Sequence, residues 1–569
     1  MKPCQALNFF DFAWSTALQI TKKSYNELKI LLHYDLRYPY LGKDGSGHVL
    51  HLIAPRKLGG NIASFQGLKF NSQNPFHKKI IWYMFKASVY HLGLHSCLSN
   101  FAEYANWARG KHLNLSTFVV SLVEDATVKK HLKSSFSWLL PELAYANTIS
   151  FLRMKGVEKL SNDSWRVMSS LLLNYNFGRI KGKLKDEMLT EVEAVTSILK
   201  KVEENPVGEE KVNAATKIYD TLMLYGDVFE VPSLLYAESH GRNDLFYKQQ
   251  IPNEEEVKQS LPEALCAFGL EIKSEQQLQD ILRNLKESEI NQVITEWQAH
   301  ENSKAKILEA YFNIGKDTKF EDIAFPEEDY AEYQRRKTVL GSPIRRIMSQ
   351  LRLLKNIGGE DFRQEAGFID LQEAIQVIAS KSQRTDIFQR EELQTREDAW
   401  SILIDASHSL NMFRGEVRGI ALCLAEVAKM LILNQDSWGI YAFNDKFYII
   451  KDFSEKCDSH VKARIGGLKH SGFTYLPDAV LLAAQALPKR MEEAKILVVV
   501  SDFFPAGYEG GEEKLKENLK KVKKMGIGLL GIGVNSTAVK QYVQPSCVVE
   551  GPYDLMKKFS KAFVEYSSS

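Results

Sequence analysis

The sequence predicts an α/β protein: a C-terminal domain built on a mostly parallel sheet covered by helices, preceded by a mainly α-helical N-terminal region. Three observations carry this prediction. The last third of the chain alternates continuous apolar runs with amphipathic ones. The first 195 residues hold long stretches of helical periodicity. The composition, 44% apolar and 25% charged, is that of a chain able to bury a sizeable core.

In chain order, "KKIIWYMFKASVYHLGLHSCLSNFAEYANWA" and "LSTFVVSLVEDATVKKHLKSSFSWLLPEL" read as helices, the second meeting Pro141. They define a helical N-terminal domain over 1–195. The charged stretch "KKVEENPVGEEKV", Lys200 to Val212, reads as a solvated linker or loop. It opens a charged, mainly helical middle region over 196–395, in which residues 254–310 read as a long exposed helical arm. From 396 to 569 the pattern changes. "AWSILID", "SWGIYAF", "KFYIIKDF", "AKILVVVSD" and "GIGLLGIGV" read as strands. Between and after them, "EVRGIALCLAEVAKMLIL", "LPDAVLLAAQAL", "EEKLKENLKKVKKM" and "PYDLMKKFSKAFVEY" read as helices. Apolar strands alternating with amphipathic helices mean a mostly parallel sheet covered on both faces.

The bulk properties exclude several classes. A length of 569 residues allows about three or four domains. A formal net charge of +2 supplies no global field for nucleic acid or an anionic membrane. Six scattered cysteines without a Cys-x-x-Cys pair make neither a zinc ribbon nor a disulfide scaffold. Asp11 interrupts the apolar N-terminal stretch, so no signal peptide is expected. No run of about 18 apolar residues exists to span a membrane. A cytoplasmic location is expected.

In parallel sheets, ligands sit at the carboxyl ends of the strands. The stretch "ILIDASHSLN" places Asp405, Ser407 and Ser409 at alternate positions of one strand end. Thr474 in "SGFTYLPDA" stands just before a predicted helix, and Asp502 in "VVVSDFF" ends the next core strand. Two carboxylates and three hydroxyls make an all-oxygen set, which suits a hard divalent cation, Mg²⁺ or Mn²⁺.

This pattern resembles the von Willebrand factor A (VWA) domain, a Rossmann-like fold, and its metal-ion-dependent adhesion site. All five residues match. The resemblance implies a bound Mg²⁺ with one open position that a partner protein's carboxylate fills. Upstream, "FPEEDYAEYQRRKTVLG" and the segment from Glu365 to Ser409, with its Gly-hydrophobe-Asp-Leu step at Gly367 to Leu371, look like the NorD-type nitric-oxide-reductase activation proteins. The CbbO-type Rubisco activators are similar. That resemblance implies a non-catalytic adaptor coupling a hexameric MoxR-type AAA+ ATPase to activation, assembly or metal loading of a client metalloenzyme. A chelatase-like subunit assisting metal insertion is the alternative. The long acidic, proline-rich linker common before the A domain of chelatase subunits is missing.

Other motifs are weaker. His91 and His95 stand at i and i+4 of a predicted helix, with Glu124 on a later one. Together they resemble a zinc-peptidase ligand set, but Leu92 occupies the place of the general base in His-Glu-x-x-His. Gly178, Gly182 and Lys183 lack the hydroxyl of a phosphate loop, because Leu184 follows. No other Walker A exists, so any ATPase is expected to be a partner. The basic cluster Arg335 to Arg346 has acidic neighbours and no aromatic stacking array, which favours a solvated helix face or an intramolecular acidic partner over nucleic acid.

Overall fold

The run Asp398–Asp405 is buried at all eight positions. A strand achieves this only at the centre of a sheet covered on both faces. In the computed structural model it pairs in parallel with Trp438–Phe443 on one side and Ala494–Ser501 on the other. The full sheet has seven strands in the order Ser546–Val549, Gly528–Val534, Ala494–Ser501, Asp398–Asp405, Trp438–Phe443, Phe447–Lys451, Ile323–Ala324. Only the pairing of Trp438–Phe443 with Phe447–Lys451 is antiparallel. The structure describes residues 8–45, 47–226, 228–237, 243–272, 274, 276–278, 281, 287–355, 359–364, 368–380, 384–392, 397–432, 434–507 and 509–568. Gly367 lies outside them.

Alternation along the central strand builds two cores. Trp400, Ile402 and Ile404 meet Val417, Ile420 and Leu424 of helix Arg414–Leu431 and Leu555 and Phe559 of helix Pro552–Ser568. Ala399 and Leu403 belong to the other core, with Val480 and Ala483 of helix Leu476–Ala484 and Leu515 and Leu519 of helix Gly511–Lys524. Each fully buried aliphatic side chain contributes about 1.5–3 kcal/mol. Between them Ser401 donates to the carbonyl of Ala483 at 2.8 Å, so the strand's hydroxyl is satisfied and the helix is pinned.

The chain forms two compact units, residues 1–303 and 304–569. The 196–395 stretch contributes to both, and helix Glu287–Ile314 crosses the division. In the second unit, structure begins well before residue 396. Ile323–Ala324 is the last strand of the sheet. Tyr333 of helix Tyr330–Val339 and Ile344, Ile347 and Leu351 of helix Gly341–Lys355 are buried in the first of the two cores.

The segment joining them is strapped onto helix Ser459–Gly466. Asp329 donates its N–H to the carbonyl of Ala463 at 2.8 Å. The backbone comes so close that a Cβ at Gly466 or Gly467 would collide with the carbonyls of Asp329 and Glu327. Underneath, Glu328 meets His460 at 2.8 Å, Lys304 at 3.4 Å and Arg464 at 3.7 Å. Arg464 is fully buried, lies over the Phe325 ring at 4.2 Å and donates to Glu455 at 3.0 Å. Burial pushes the Glu328 carboxyl up, but His460, Lys304 and Arg464 outweigh it and hold it well below the usual carboxylate range. Part of the basic cluster pairs within the same unit, Arg336 with Glu332 at 2.6 Å and Lys337 with Glu426 at 2.8 Å, whereas Arg345 and Arg346 are exposed.

The first unit is mainly helical, with six short strands added in two three-stranded sheets. Ile62–Phe65 and Leu68–Asn71 pair through a two-residue turn, Gln66-Gly67, in which both residues have positive φ, 49° and 75°. That is the turn whose twist matches a hairpin. Helix Pro75–Leu98 starts on Asn74, whose side chain accepts from Phe76 N–H at 2.9 Å. It is buried throughout from Ile80 to Ser96.

Two sequence expectations are corrected here. Lys200 to Val212 is not a loop: helices Asp186–Glu204 and Gly208–Met223 run through it, broken only where Pro206 interrupts. The 254–310 stretch, of which 273, 275, 279, 280 and 282–286 lie outside the described residues, is not an exposed arm. Val257, Leu261, Val293, Trp297 and Ile307 are buried. Among the described residues no helix is long and apolar enough to cross a membrane.

Glu328→Ala is expected to destabilise the second unit by about 3–5 kcal/mol, because it strips a buried guanidinium of a counter-charge. Lys469→Ala, at a pair whose side chains are 69% and 64% exposed, is expected to change stability by under about 0.5 kcal/mol. Hydrogen-exchange protection of strand Asp398–Asp405 in the full chain measures both.

Candidate functional site

Three loops leave the carboxyl edge of the sheet beside the central strand. The first follows Asp398–Asp405 and carries Asp405, Ser407 and Ser409 into the 3₁₀ turn His408–Phe413. The second precedes helix Leu476–Ala484 and carries Thr474. The third follows Ala494–Ser501 and carries Asp502. Backbone hydrogen bonds lace them together. His408 N–H donates to the Gly472 carbonyl at 3.1 Å, Ser471 N–H to Ala406 at 3.0 Å, and Ala506 N–H to Thr474 at 3.2 Å. Gly472 holds φ +71°, and a Cβ there would collide with the Asp445 carboxylate. The five residues named from the sequence are therefore carried by adjoining loops at one sheet edge.

Asp405 is fully buried, as is Ser407; Thr474 and Asp502 are 3% and 8% exposed. Ser409 and His408 face solvent. The site thus grades from a buried carboxylate to an open rim. Asp405 accepts from Ser407 N–H at 2.9 Å and from the Ser501 hydroxyl at 2.5 Å. Burial first, and the Asp502 carboxylate second, push Asp405 up to about 7, against the hydrogen bonds of Ser407 and Ser501 that pull it down. The Ser407 and Ser409 hydroxyls lie 3.0 Å apart. Ser407 stands at the cap position of the 3₁₀ turn but makes no side-chain capping bond. Its hydroxyl is not consumed by helix capping.

This donor set fits a hard divalent cation. Two acidic side chains repel each other next to a hydroxyl pair, and the charged group acting most on Asp405 is another carboxylate rather than a lysine or arginine. A cation relieves that repulsion. Asp405, Ser407, Ser409, Thr474 and Asp502 are the residues that could hold it.

Sequence reasoning missed Ser501, whose hydroxyl inside an apolar strand holds the second oxygen of Asp405. It also missed Phe503, a buried non-glycine residue at φ 61° beside Asp502. Such a backbone costs about 1–3 kcal/mol and clusters at functional sites. Here the Ser501 hydroxyl accepts from Phe503 N–H at 3.0 Å and so supports the turn. The same three loops also carry exposed apolar side chains: Met412 and Phe413 on the first, Phe473 on the second, Phe504 on the third.

The secondary motifs resolve differently. Gly178 caps helix Asp163–Phe177 at φ 70°, a turn and not a phosphate loop. Glu124 does not join His91 and His95. It is fully buried against Lys211 at 3.1 Å and Tyr104 at 2.7 Å, whereas its neighbour Asp125 meets both histidines.

A pH dependence follows from Asp405 in metal-free protein. Its folded-state value lies above the ordinary 3.8. The folded state therefore holds the proton more tightly, and stability is lost as pH rises from about 4 to about 7. In chelator, Asp405→Asn is expected to melt higher than wild type at pH 8, by an amount on the order of a few kcal/mol. The difference should vanish at pH 4. Thermal unfolding at both pH values checks this.

No curated protein matches the chain. Residues 401–548 match the von Willebrand factor type A domain, an interval that contains Asp405, Ser407, Ser409, Thr474 and Asp502, so the C-terminal unit contains a VWA domain.

Proposed function

We propose that the chain is a non-catalytic docking adaptor whose VWA domain engages a partner protein through Mg²⁺ (or Mn²⁺) held by Asp405, Ser407, Ser409, Thr474 and Asp502. One observation carries this reading: a buried carboxylate pair and the adjoining Ser407–Ser409 hydroxyls open onto a rim of exposed apolar side chains on the same loops. VWA domains commonly mediate protein–protein interactions.

The bound ion supplies a Lewis-acidic position that a partner's carboxylate completes. The protein's own residues do the rest. Ser501 and the Ser407 N–H fix both oxygens of Asp405, so the carboxylate is pre-oriented. Met412, 89% exposed, with Phe473 and Phe504, 58% and 61% exposed, offers apolar area around the charge. Docking that buries one such side chain contributes about 1.5–3 kcal/mol. A charged centre ringed by aromatic anchors gives both orientation and affinity.

The partner we propose is a MoxR-type AAA+ ATPase, with the adaptor coupling its ATP hydrolysis to activation, assembly or metal loading of a client metalloenzyme. The support is the resemblance of the 325–341 and 365–409 segments to the activation proteins, together with the absence of a Walker A loop from the chain. The purified chain is accordingly expected to show neither ATPase nor peptidase activity, measured after removal of AAA+ contaminants.

Pull-down of the AAA+ ATPase in Mg²⁺ tests the mechanism. Asp405→Ala and chelated wild type are both expected to lose binding, with the variant still folded by circular dichroism. Phe473→Ser is expected to weaken binding about tenfold or more, roughly 1.4 kcal/mol, while the response to Mg²⁺ remains. Undiminished capture by Asp405→Ala would remove the ion from the docking mechanism.

A further inference from the structure

Helix Pro75–Leu98 presents His91 and His95 one turn apart on the same face, and helix Leu113–Ser135 brings Asp125 against them. The His95 Nε2 lies 3.0 Å from His91 Nε2 and 3.0 Å from Asp125 Oδ1, and His91 Nε2 lies 3.1 Å from the same oxygen. Three ligand atoms thus form a nearly equilateral triangle. We propose that His91, His95 and Asp125 are a metal site for a divalent first-row transition ion, Zn²⁺ foremost, in the N-terminal unit.

The geometry supports this in four ways. A tetrahedral zinc ion with bonds of about 2.0–2.1 Å spaces its ligand atoms about 3.3 Å apart, so the triangle needs to open by only about 0.3 Å. The donor set is two imidazoles and one carboxylate, which selects transition ions over Mg²⁺. His95 Nδ1 lies 2.7 Å from the Ser99 hydroxyl, an outer partner that fixes the ring with Nε2 turned inward. Beside the three residues lies a cavity of about 30 Å³ lined by apolar side chains such as Phe101, Phe118, Leu172 and Leu234 and by Ser121 and Ser233. One water needs roughly 10–15 Å³ by this measure, so the open side of the ion has room for a water ligand.

The surroundings do not supply the general base of a zinc peptidase. Leu92 stands where such an enzyme carries it. Glu124, the sequence neighbour of Asp125, is turned away to Lys211 and Tyr104. The competing account is metal-free: two neutral imidazoles both donating to one Asp125 oxygen. That account predicts no metal uptake.

The full chain, stripped with chelator and dialysed against low-micromolar Zn²⁺ in excess Mg²⁺, decides between them by elemental analysis. One equivalent of zinc is expected in wild type and in Asp405→Ala, and less than a tenth of that in Asp125→Asn and His95→Gln. Parallel dialysis against Fe²⁺, Mn²⁺ or Co²⁺ ranks the ions. No stoichiometric uptake of any of them by wild type overturns the proposal, as does zinc retention unchanged in both N-terminal variants. If those variants unfold, Co²⁺-loaded wild type is read instead. Hyperfine-shifted exchangeable imidazole resonances in its proton NMR spectrum are expected, and their absence overturns the assignment.

Discussion

The C-terminal unit is organised around the cost of burying Asp405. A carboxylate at the end of a strand buried on both faces has no bulk water to stabilise its charge. Burial and the nearby Asp502 carboxylate push it up to about 7, against the hydrogen bonds it accepts from Ser407 and Ser501. Much of the local structure serves this arrangement. The Ser501 hydroxyl links the carboxylate oxygen to the strained turn at Phe503, and backbone hydrogen bonds lace the three loops together. The charge is held in place by groups too weak to neutralise it. That is the condition under which a cation has most to contribute.

Much of this was legible in the sequence, for a physical reason. A strand buried on both faces must be apolar at every position, so polar residues clustered at its end stand out. Asp405, Ser407 and Ser409 are read this way, and Asp502 ends its strand in the same manner. Ser501 was not legible, since a lone serine in an apolar run gives no sign of whether it bonds to the backbone or to a ligand. The two-residue strand Ile323–Ala324 is too short to carry any period. The six N-terminal strands are four to seven residues long, and burial patterns such as that of Gly47–Ile53 do not alternate cleanly. Glu124 and Asp125 show the finest limit. Neighbours on a helix point about 100° apart, so spacing finds the turn that faces the histidines but not which carboxylate does.

The two polar clusters divide the chemistry between the units. At the sheet edge the polar groups are all oxygens, two carboxyls and three hydroxyls, with exposed apolar side chains on the same loops. In the helical unit the cluster is two imidazoles and a carboxylate beside a small cavity of mixed lining. Asp125 illustrates how differently the carboxylates are treated. Burial raises it as it raises Asp405, but His91 and His95 overcome that and hold it below the usual range. One carboxylate is pushed up, and the other is kept charged.

The short strand before the VWA match has a consequence for association. Phe447–Lys451 is an apolar strand with four of its five residues buried, and without a neighbour it would offer a row of free backbone groups to any other extended chain. Ile323–Ala324 occupies that side with only two residues, Phe447 pairing with Ile323 and Tyr448 with Ala324. A strand this brief closes the sheet while offering almost no template of its own. The strap that follows it, seated on Gly466 and Gly467, keeps this guard in place. The polypeptide ahead of the domain therefore covers part of an edge that would otherwise be open to pairing with another strand.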